Sequence, residues 1–479
     1  MTATVLGEPF LEFAQRQRHI DPRFGIAFYG PVDRGSEDAP RDINVGLVGP
    51  PSALANAREW MKRCTRGIAA KADNSYPNLW QPFPGFGHDT GFGASLVFAD
   101  RLERALRTRD LTQLKPHLGD ATVRTAVDLY LAEIEALAQA AQPRVIVCVI
   151  PMQLLQSGAT DEEDDEDAEQ GGPRQQSLAG RFHDILKAEA MRYRIPLQLM
   201  RPGTYDPKLA KGTLQRAQLQ DEATRAWNFL TALYYKAGGT PWRLVRDDAA
   251  LDSCFVGVSF YWRGDGTIAT SVAQVFDERG DGVVVRGGPA TRSTDDRQLH
   301  LREDDAHELL SNALKAFRSE HKHLPARIVV HKTTPFDQAE TDGMLHAADD
   351  EKVDTSELIW VSEGSGVRLF RSGQQPPLRG TFVELEAEYG LLYTRGAVEY
   401  YGTYPGMYVP HPIALRPVVR ERPLAELAAE VLALSKMNWN STQFDGQLPV
   451  SIRTARDVSD IIRRLPEDAP VEPRYAFYM

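Results

Sequence analysis

At 479 residues the chain exceeds what one hydrophobic core ordinarily serves, so two or three domains are expected. Its 42% hydrophobic and 25% charged residues exclude a disordered chain, and the lack of any long, uninterrupted apolar run excludes a membrane span. The net charge of −11 argues against a uniformly basic nucleic-acid binder, but eight acidic residues sit in one run at 161–169, DEEDDEDAE. Such a run repels itself and reads as a solvated loop, which leaves room for a basic channel elsewhere.

The opening, residues 1–40, is polar and rich in turns. It lacks the basic start and apolar stretch of a secretory signal, so a cytoplasmic protein is expected. DINVGLVGP (42–50) predicts a short buried strand. The stretch that follows is an amphipathic helix with Ser52 as its N-cap. Residues 73–92 carry Pro, Gly and aromatics and predict loop. A long helix is expected over 121–141. RVIVCVIP (144–151) is an apolar strand of the kind buried in parallel sheets. The acidic loop, set at 157–178, comes next. A helix over 178–194, a strand at IPLQLM and a helix over 216–237 complete a first α/β layer. Cys64, Cys148 and Cys254 are isolated, two of them inside apolar runs, which predicts buried packing and neither metal nor disulfide.

A second domain begins near Pro241. Its strands are SCFVGVSFYW, TSVAQVFD and GVVVRGG. A helix over 304–320, the strands ARIVVHK and ELIWVSE, and a β-rich stretch over 368–415 follow. Helices close the chain over 424–436 and 455–464. Three strands before the first helix, then strand and helix in alternation, is the order of a ribonuclease-H-like domain.

Chemistry concentrates in FHDILKAEAMRYRIPLQ. His183 and Lys187 are four apart and share one helix face. Gln198 lies on the next strand, and Lys236 ends a further helix before Ala-Gly-Gly. Two cations, an imidazole and an amide in that order can converge on one anion, as phosphate recognition requires. An isolated His/Lys pair at this spacing would be a solvated helix face; four groups on helix, strand and helix are a more specific pattern.

This order resembles the guide 5′-phosphate pocket in the MID domain of Argonaute proteins. RVIVCVIP and KAGGTPWRL are similar to the flanking Argonaute segments. The resemblance runs from about residue 40 to the end and implies a short prokaryotic Argonaute: a Rossmann-like MID domain over 41–240 and a ribonuclease-H-like PIWI domain over 241–479. It implies His183, Lys187, Gln198 and Lys236 as 5′-phosphate ligands. A second lysine found in many relatives falls at Ala232. It also implies Mg2+ on the phosphate, held by Gln198 and the carboxylate of Met479.

In PIWI domains slicing uses carboxylates that hold two Mg2+ ions. At the places the resemblance assigns to them stand Ser259, Thr333 and Arg456. Hydroxyls are poor Mg2+ ligands and Arg repels a cation, so the chain is expected not to cleave. The alternative is an active Mg2+-dependent nuclease using the nearby Asp265, Asp337 and Asp457. A small-molecule α/β enzyme is a third class, but no Gly-rich phosphate loop, nucleophile elbow or zinc motif supports it. Asn440, Ser441, Arg453 and Lys332 are expected on guide or target backbone, with His331 beside Lys332. The resemblance further implies guide RNA, single-stranded target DNA and a partner with an APAZ domain and a SIR2, TIR or nuclease effector. It implies activation of that partner on target recognition, oligomerisation on activation, and defence against plasmids or phage.

Overall fold

Short runs of Val, Ile and Leu alternating with amphipathic stretches cannot bury both faces of a strand unless helices cover them, and that requirement organises this chain. The computed structural model describes residues 2–155, 176–210, 219–245, 252–262, 268–276, 282–364, 366–406, 409–444, 446–466, 469 and 471–479. The acidic run 161–169 and Asp265 lie outside the described residues, as does all of the expected acidic loop before 176. The chain forms two units: one of residues 13–242, 439–442 and 476–479, the other of residues 1–12, 243–438 and 443–475. The opening forty residues are therefore not a segment apart. They divide after residue 12, because β1 (Thr2–Val5) adds to the second unit's sheet, pairing antiparallel with residues 381–384.

In the first unit α1 (Pro22–Phe28) is capped by Asp21, whose carboxylate accepts from the main-chain nitrogens of Arg23 and Phe24. Then come β2 (Asp42–Gly49), α2 (Pro51–Thr65), β3 (Ser95–Val97), β4 (Glu103–Ala105), α3 (Asp120–Ala140), β5 (Val145–Val149), α4 (Leu178–Ala190), β6 (Leu197–Met200) and α5 (Glu222–Lys236). Helix α2 starts at Pro51, before the expected cap Ser52; proline's fixed φ suits the first helical position. The strands of the central sheet pair in parallel: β2 with β3, β4 and β5, and β5 with β6. This is a Rossmann-like layer. Val127, Tyr130 and Ile134 of α3 pack with Phe182 and Leu186 of α4 over Ile146 and Cys148. The Tyr130 hydroxyl donates to the carbonyl of Val149, which fixes α3 to the carboxyl end of β5.

The second unit contains β7 (Ser253–Trp262), β8 (Ile268–Phe276), β9 (Gly282–Arg286), α6 (Glu303–His321), β10 (Arg327–Lys332), α7 (Gln338–Asp350), β11 (Thr355–Ser362), β12 (Thr381–Glu386), β13 (Tyr389–Leu392), β14 (Ile413–Val419), α8 (Leu424–Leu434) and α9 (Val450–Ile462). With β1 the strands form a nine-stranded mixed sheet in the order β1-β12-β13-β14-β11-β10-β7-β8-β9. Strand β10 runs parallel to β7 and β11; the other pairs are antiparallel. The meander β7-β8-β9 followed by alternation is the ribonuclease-H-like order. Val256, Val258, Ile328 and Val330 face α6 and α7. The opposite face carries α9, which comes so near that a Cβ on Gly257 would lie 1.9 Å from the Ser451 carbonyl oxygen. Only glycine permits that approach. Helix α7 lies where the sequence pattern indicated no element, and α9 starts five residues before the expected 455. All three cysteines are buried, and among the described residues no helix is long and apolar enough to cross a membrane.

Candidate functional site

In parallel α/β sheets the carboxyl ends of adjacent strands leave a crevice where ligands bind. In the first unit such a crevice opens at the ends of β5 and β6. It is a cavity of about 150 Å³ whose wall includes Ile150, directly after β5, and Arg201, directly after β6. Of the residues expected at a phosphate site, His183, Lys187, Gln198 and Lys236 all line it, with Asn440 and Met479.

Each is positioned for a local reason. His183 and Lys187 stand one turn apart on α4, whose start is capped by Ser177 accepting from the Gly180 nitrogen. The His183 Nδ1 is 3.0 Å from the carboxylate of Asp184, which accepts from Gln176 with its other oxygen at 2.9 Å. Lys187, only 3% exposed, donates to the main-chain oxygens of Tyr478, at 3.1 Å, and Met479. Lys236, 4% exposed, donates to Gln198 Oε1. It is the last residue of α5, where a cation complements the helix dipole. The following turn needs Gly238, at φ +96°, and is held by Asp33, which accepts from the Thr240 nitrogen and the Tyr234 hydroxyl, each at 2.8 Å.

Two buried lysines, Lys187 and Lys236, stand at the base of the site. Burial, and then the charge of Lys187, push the Lys236 ammonium well below the usual lysine range. Among the described residues that line the cavity there is no Asp or Glu. An anion with several acceptor oxygens is the ligand that satisfies such a wall. Arg201 escaped the sequence reading. Its position just beyond a buried parallel strand was the available signal, because that is where this architecture places ligand contacts.

The remaining expected contacts divide. Asn440 shares the cavity, and Ser441 follows it in the same unit. Arg453 belongs to the other unit, on α9, where its Nη2 lies 3.3 Å from the Leu448 carbonyl. Lys332 is a correction. It is fully buried, with its ammonium on both carboxylate oxygens of Glu340 and 2.8 Å from the Pro335 carbonyl, so it does not face a nucleic-acid backbone. His331 is equally buried; its Nδ1 pairs with the Ser451 hydroxyl at 2.9 Å, and burial, then Arg327, hold its pKa down to about 3. His300, Asp337 and Glu340 have ligand-type atoms close together, but the Lys332 ammonium already neutralises Glu340. That cluster is an internal ionic network joining α7 to residues 296–301.

On the α9 face of the sheet, Ser259 is 3% exposed. Its hydroxyl donates to the Ala455 carbonyl at 2.8 Å and lies 2.7 Å from the Ser459 hydroxyl. The Thr333 carbonyl accepts from the Trp360 indole at 3.1 Å, and Arg456 pairs with Glu363 at 3.1 Å. Asp337 caps α7, and Asp457 accepts from the Tyr475 hydroxyl at 3.1 Å.

Comparison with known proteins places this geometry. No family model matches the sequence, and no curated protein matches it. Solved structures do. Clostridium butyricum Argonaute bound to a guide DNA (5′ deoxycytidine) and a 19-mer target DNA superposes with a TM-score of 0.66 at 16% identity, over 98% of this chain and 54% of that one. A. aeolicus Argonaute gives 0.57 at 15% identity, over 98% and 54%. A structure of Aa-Ago with externally bound siRNA gives 0.57 at 15%, over 99% and 56%. The chain thus has an Argonaute-like fold and spans about half the length of the chains it matches.

Proposed function

We propose that this protein is a short Argonaute that holds a guide RNA by its 5′-phosphate and presents it for pairing with single-stranded target DNA. The observation that carries this reading is the convergence of His183, Lys187, Gln198 and Lys236 on one cavity at the carboxyl ends of two parallel strands. A phosphate monoester carries nearly two negative charges and three acceptor oxygens at neutral pH, which matches two buried ammonium groups, an imidazole and two amides. The neighbouring Asn440 and Ser441 then lie on the path of the following nucleotides. Sequence specificity comes from base pairing, so the protein need recognise only backbone and shape.

Mg2+ at this phosphate is part of the proposal. Gln198 Oε1 and the main-chain oxygen of Met479 are hard donors that suit it, yet both accept hydrogen bonds from lysine ammonium groups. Gln198 and Met479 would hold the cation only beside a bound phosphate, whose negative charge would offset the ammonium groups of Lys187 and Lys236. When bound, it would neutralise phosphate charge.

The same reading assigns no cleavage to this chain. Its support is the hydrogen-bonded seam in which Ser259 faces α9, and the pairing of Arg456 with Glu363. Target recognition would instead activate a separate APAZ-domain partner with a SIR2, TIR or nuclease effector, in defence against plasmids or phage.

The test is binding of matched short RNAs with a 5′-phosphate or a 5′-hydroxyl. The phosphorylated strand should bind at least about tenfold more tightly, and Lys187→Ala with Lys236→Ala should sharply reduce that difference and flatten its salt dependence. Equal affinity of the wild-type protein for the two strands would contradict the proposal.

A further inference from the structure

The cavity contains one cation that the 5′-phosphate reading does not use. Arg201 is half-buried, directly follows β6 and lines the same wall as Lys187, Gln198 and Lys236. We infer that Arg201 is a phosphate-binding residue of this pocket, gripping the strand's terminal phosphate with its guanidinium from the carboxyl end of β6. The inference rests on the reading of the cavity as a 5′-phosphate site.

Charge balance inside the cavity supports it. Lys187 is committed to two main-chain oxygens, at Tyr478 and Met479. Lys236 donates to Gln198, and burial and the nearby Lys187 weaken its hold on its proton. The His183 imidazole is held by Asp184. A dianion entering among these groups meets two lysines whose charge is shared or weakened. A guanidinium keeps its proton at any pH the fold tolerates and offers two parallel N–H donors to a pair of phosphate oxygens. Position agrees with chemistry. The backbone of Arg201 is fixed by its neighbours, since the Ile150 nitrogen donates to Met200 and the Thr204 nitrogen donates to Arg201 itself, both at 2.9 Å. The side chain therefore starts from a rigid strand end at the place where parallel sheets hold ligands.

The experiment compares 5′-phosphorylated and 5′-hydroxyl RNAs of one sequence, labelled at the 3′ end, on the full chain by fluorescence anisotropy. The wild-type protein, Arg201→Ala and Arg201→Lys are measured near pH 7 and near pH 9.5, with folding checked by circular dichroism. Arg201→Ala should lower the preference for the phosphorylated strand by about 10- to 100-fold, with the larger loss falling on the phosphorylated strand. At each pH the preference of the wild-type protein should exceed that of Arg201→Ala, because the guanidinium stays charged throughout. Arg201→Lys should fall between them, because it keeps a charge and loses the fork; should Arg201→Ala not fold, this variant decides. An unchanged preference in the variants, or an equal loss for both strands, would overturn the assignment of Arg201 alone. A wild-type protein without preference would overturn it together with the phosphate reading.

Discussion

Lys236→Met should make the protein more stable and a weaker phosphate binder. Lys236 is 4% exposed, its ammonium has Gln198 as acceptor, and a second cation, Lys187, acts on it. Burial and that repulsion lower its pKa in the fold. The sign follows directly. Near pH 7 the unfolded chain holds the proton more readily than the folded one, so the charged lysine costs stability, and the cost fades only as pH rises toward the ordinary lysine pKa. Every factor of ten by which protonation is disfavoured amounts to about 1.4 kcal/mol. Methionine keeps the packing of the stem and removes that cost. Against it stands the lost bond to Gln198, about 1 kcal/mol. A net gain of each 1 kcal/mol should raise Tm by about 2–4 °C in a unit of this size. The same change removes a charge-assisted hydrogen bond from the bound phosphate, about 1.5–3 kcal/mol or roughly 10- to 150-fold in affinity. Thermal melting and anisotropy titration with phosphorylated RNA read the two effects independently. A variant that melts lower and retains its phosphate preference would refute this reasoning and make Lys236 a structural residue.

Preference for a 5′-phosphate should rise from about pH 5 to about pH 7 as the phosphate takes its second charge, and its loss at the alkaline side should come below the ordinary lysine range, because burial and Lys187 lower the Lys236 pKa. A pH-independent ratio of the two affinities would show that neither group titrates on binding. Gly257→Ala should cost at least about 1–3 kcal/mol, since the new Cβ would stand 1.9 Å from the Ser451 carbonyl oxygen and force α9 off the sheet. A urea midpoint equal to wild type would contradict that packing. Ser259→Asp should destabilise the second unit by a few kcal/mol, because a carboxylate would be buried against the Ala455 carbonyl. It should not create guide-directed, Mg2+-dependent cutting, and cleavage by this variant or by the wild-type chain would overturn the non-nuclease proposal.

The sequence pattern carried most of the architecture. Apolar runs such as VIVCV and the amphipathic period of residues 120–140 are local signals that no distant contact overrides. The convergence of His183, Lys187, Gln198 and Lys236 on one cavity was legible for a related reason: each residue sits at a fixed offset within a regular element, so its facing follows from spacing. What escaped depended on long-range contacts. Strand β1 forms only because its partner, some 380 residues later, offers an open edge. The assignment of residues 476–479 to the first unit has the same origin. Lys332 looked like a channel cation because a lysine ending an apolar strand usually reaches solvent. Glu340, on a helix that hydropathy did not announce, neutralises it instead. That helix did leave a mark, the Asp337-x-x-Glu340 capping box, which a search for caps would have found.

The measurement that bears most directly on the central claim is the nucleic acid that accompanies the protein through purification. The full chain, expressed in bacteria and purified at moderate salt, is extracted, and the recovered strands are end-labelled by polynucleotide kinase before and after phosphatase treatment. Short RNA that accepts label only after phosphatase is the expected result if the cavity lined by Lys187, Gln198 and Lys236 takes a 5′-phosphate as proposed. Absence of copurifying strands, or strands with free 5′-hydroxyl ends, would contradict it.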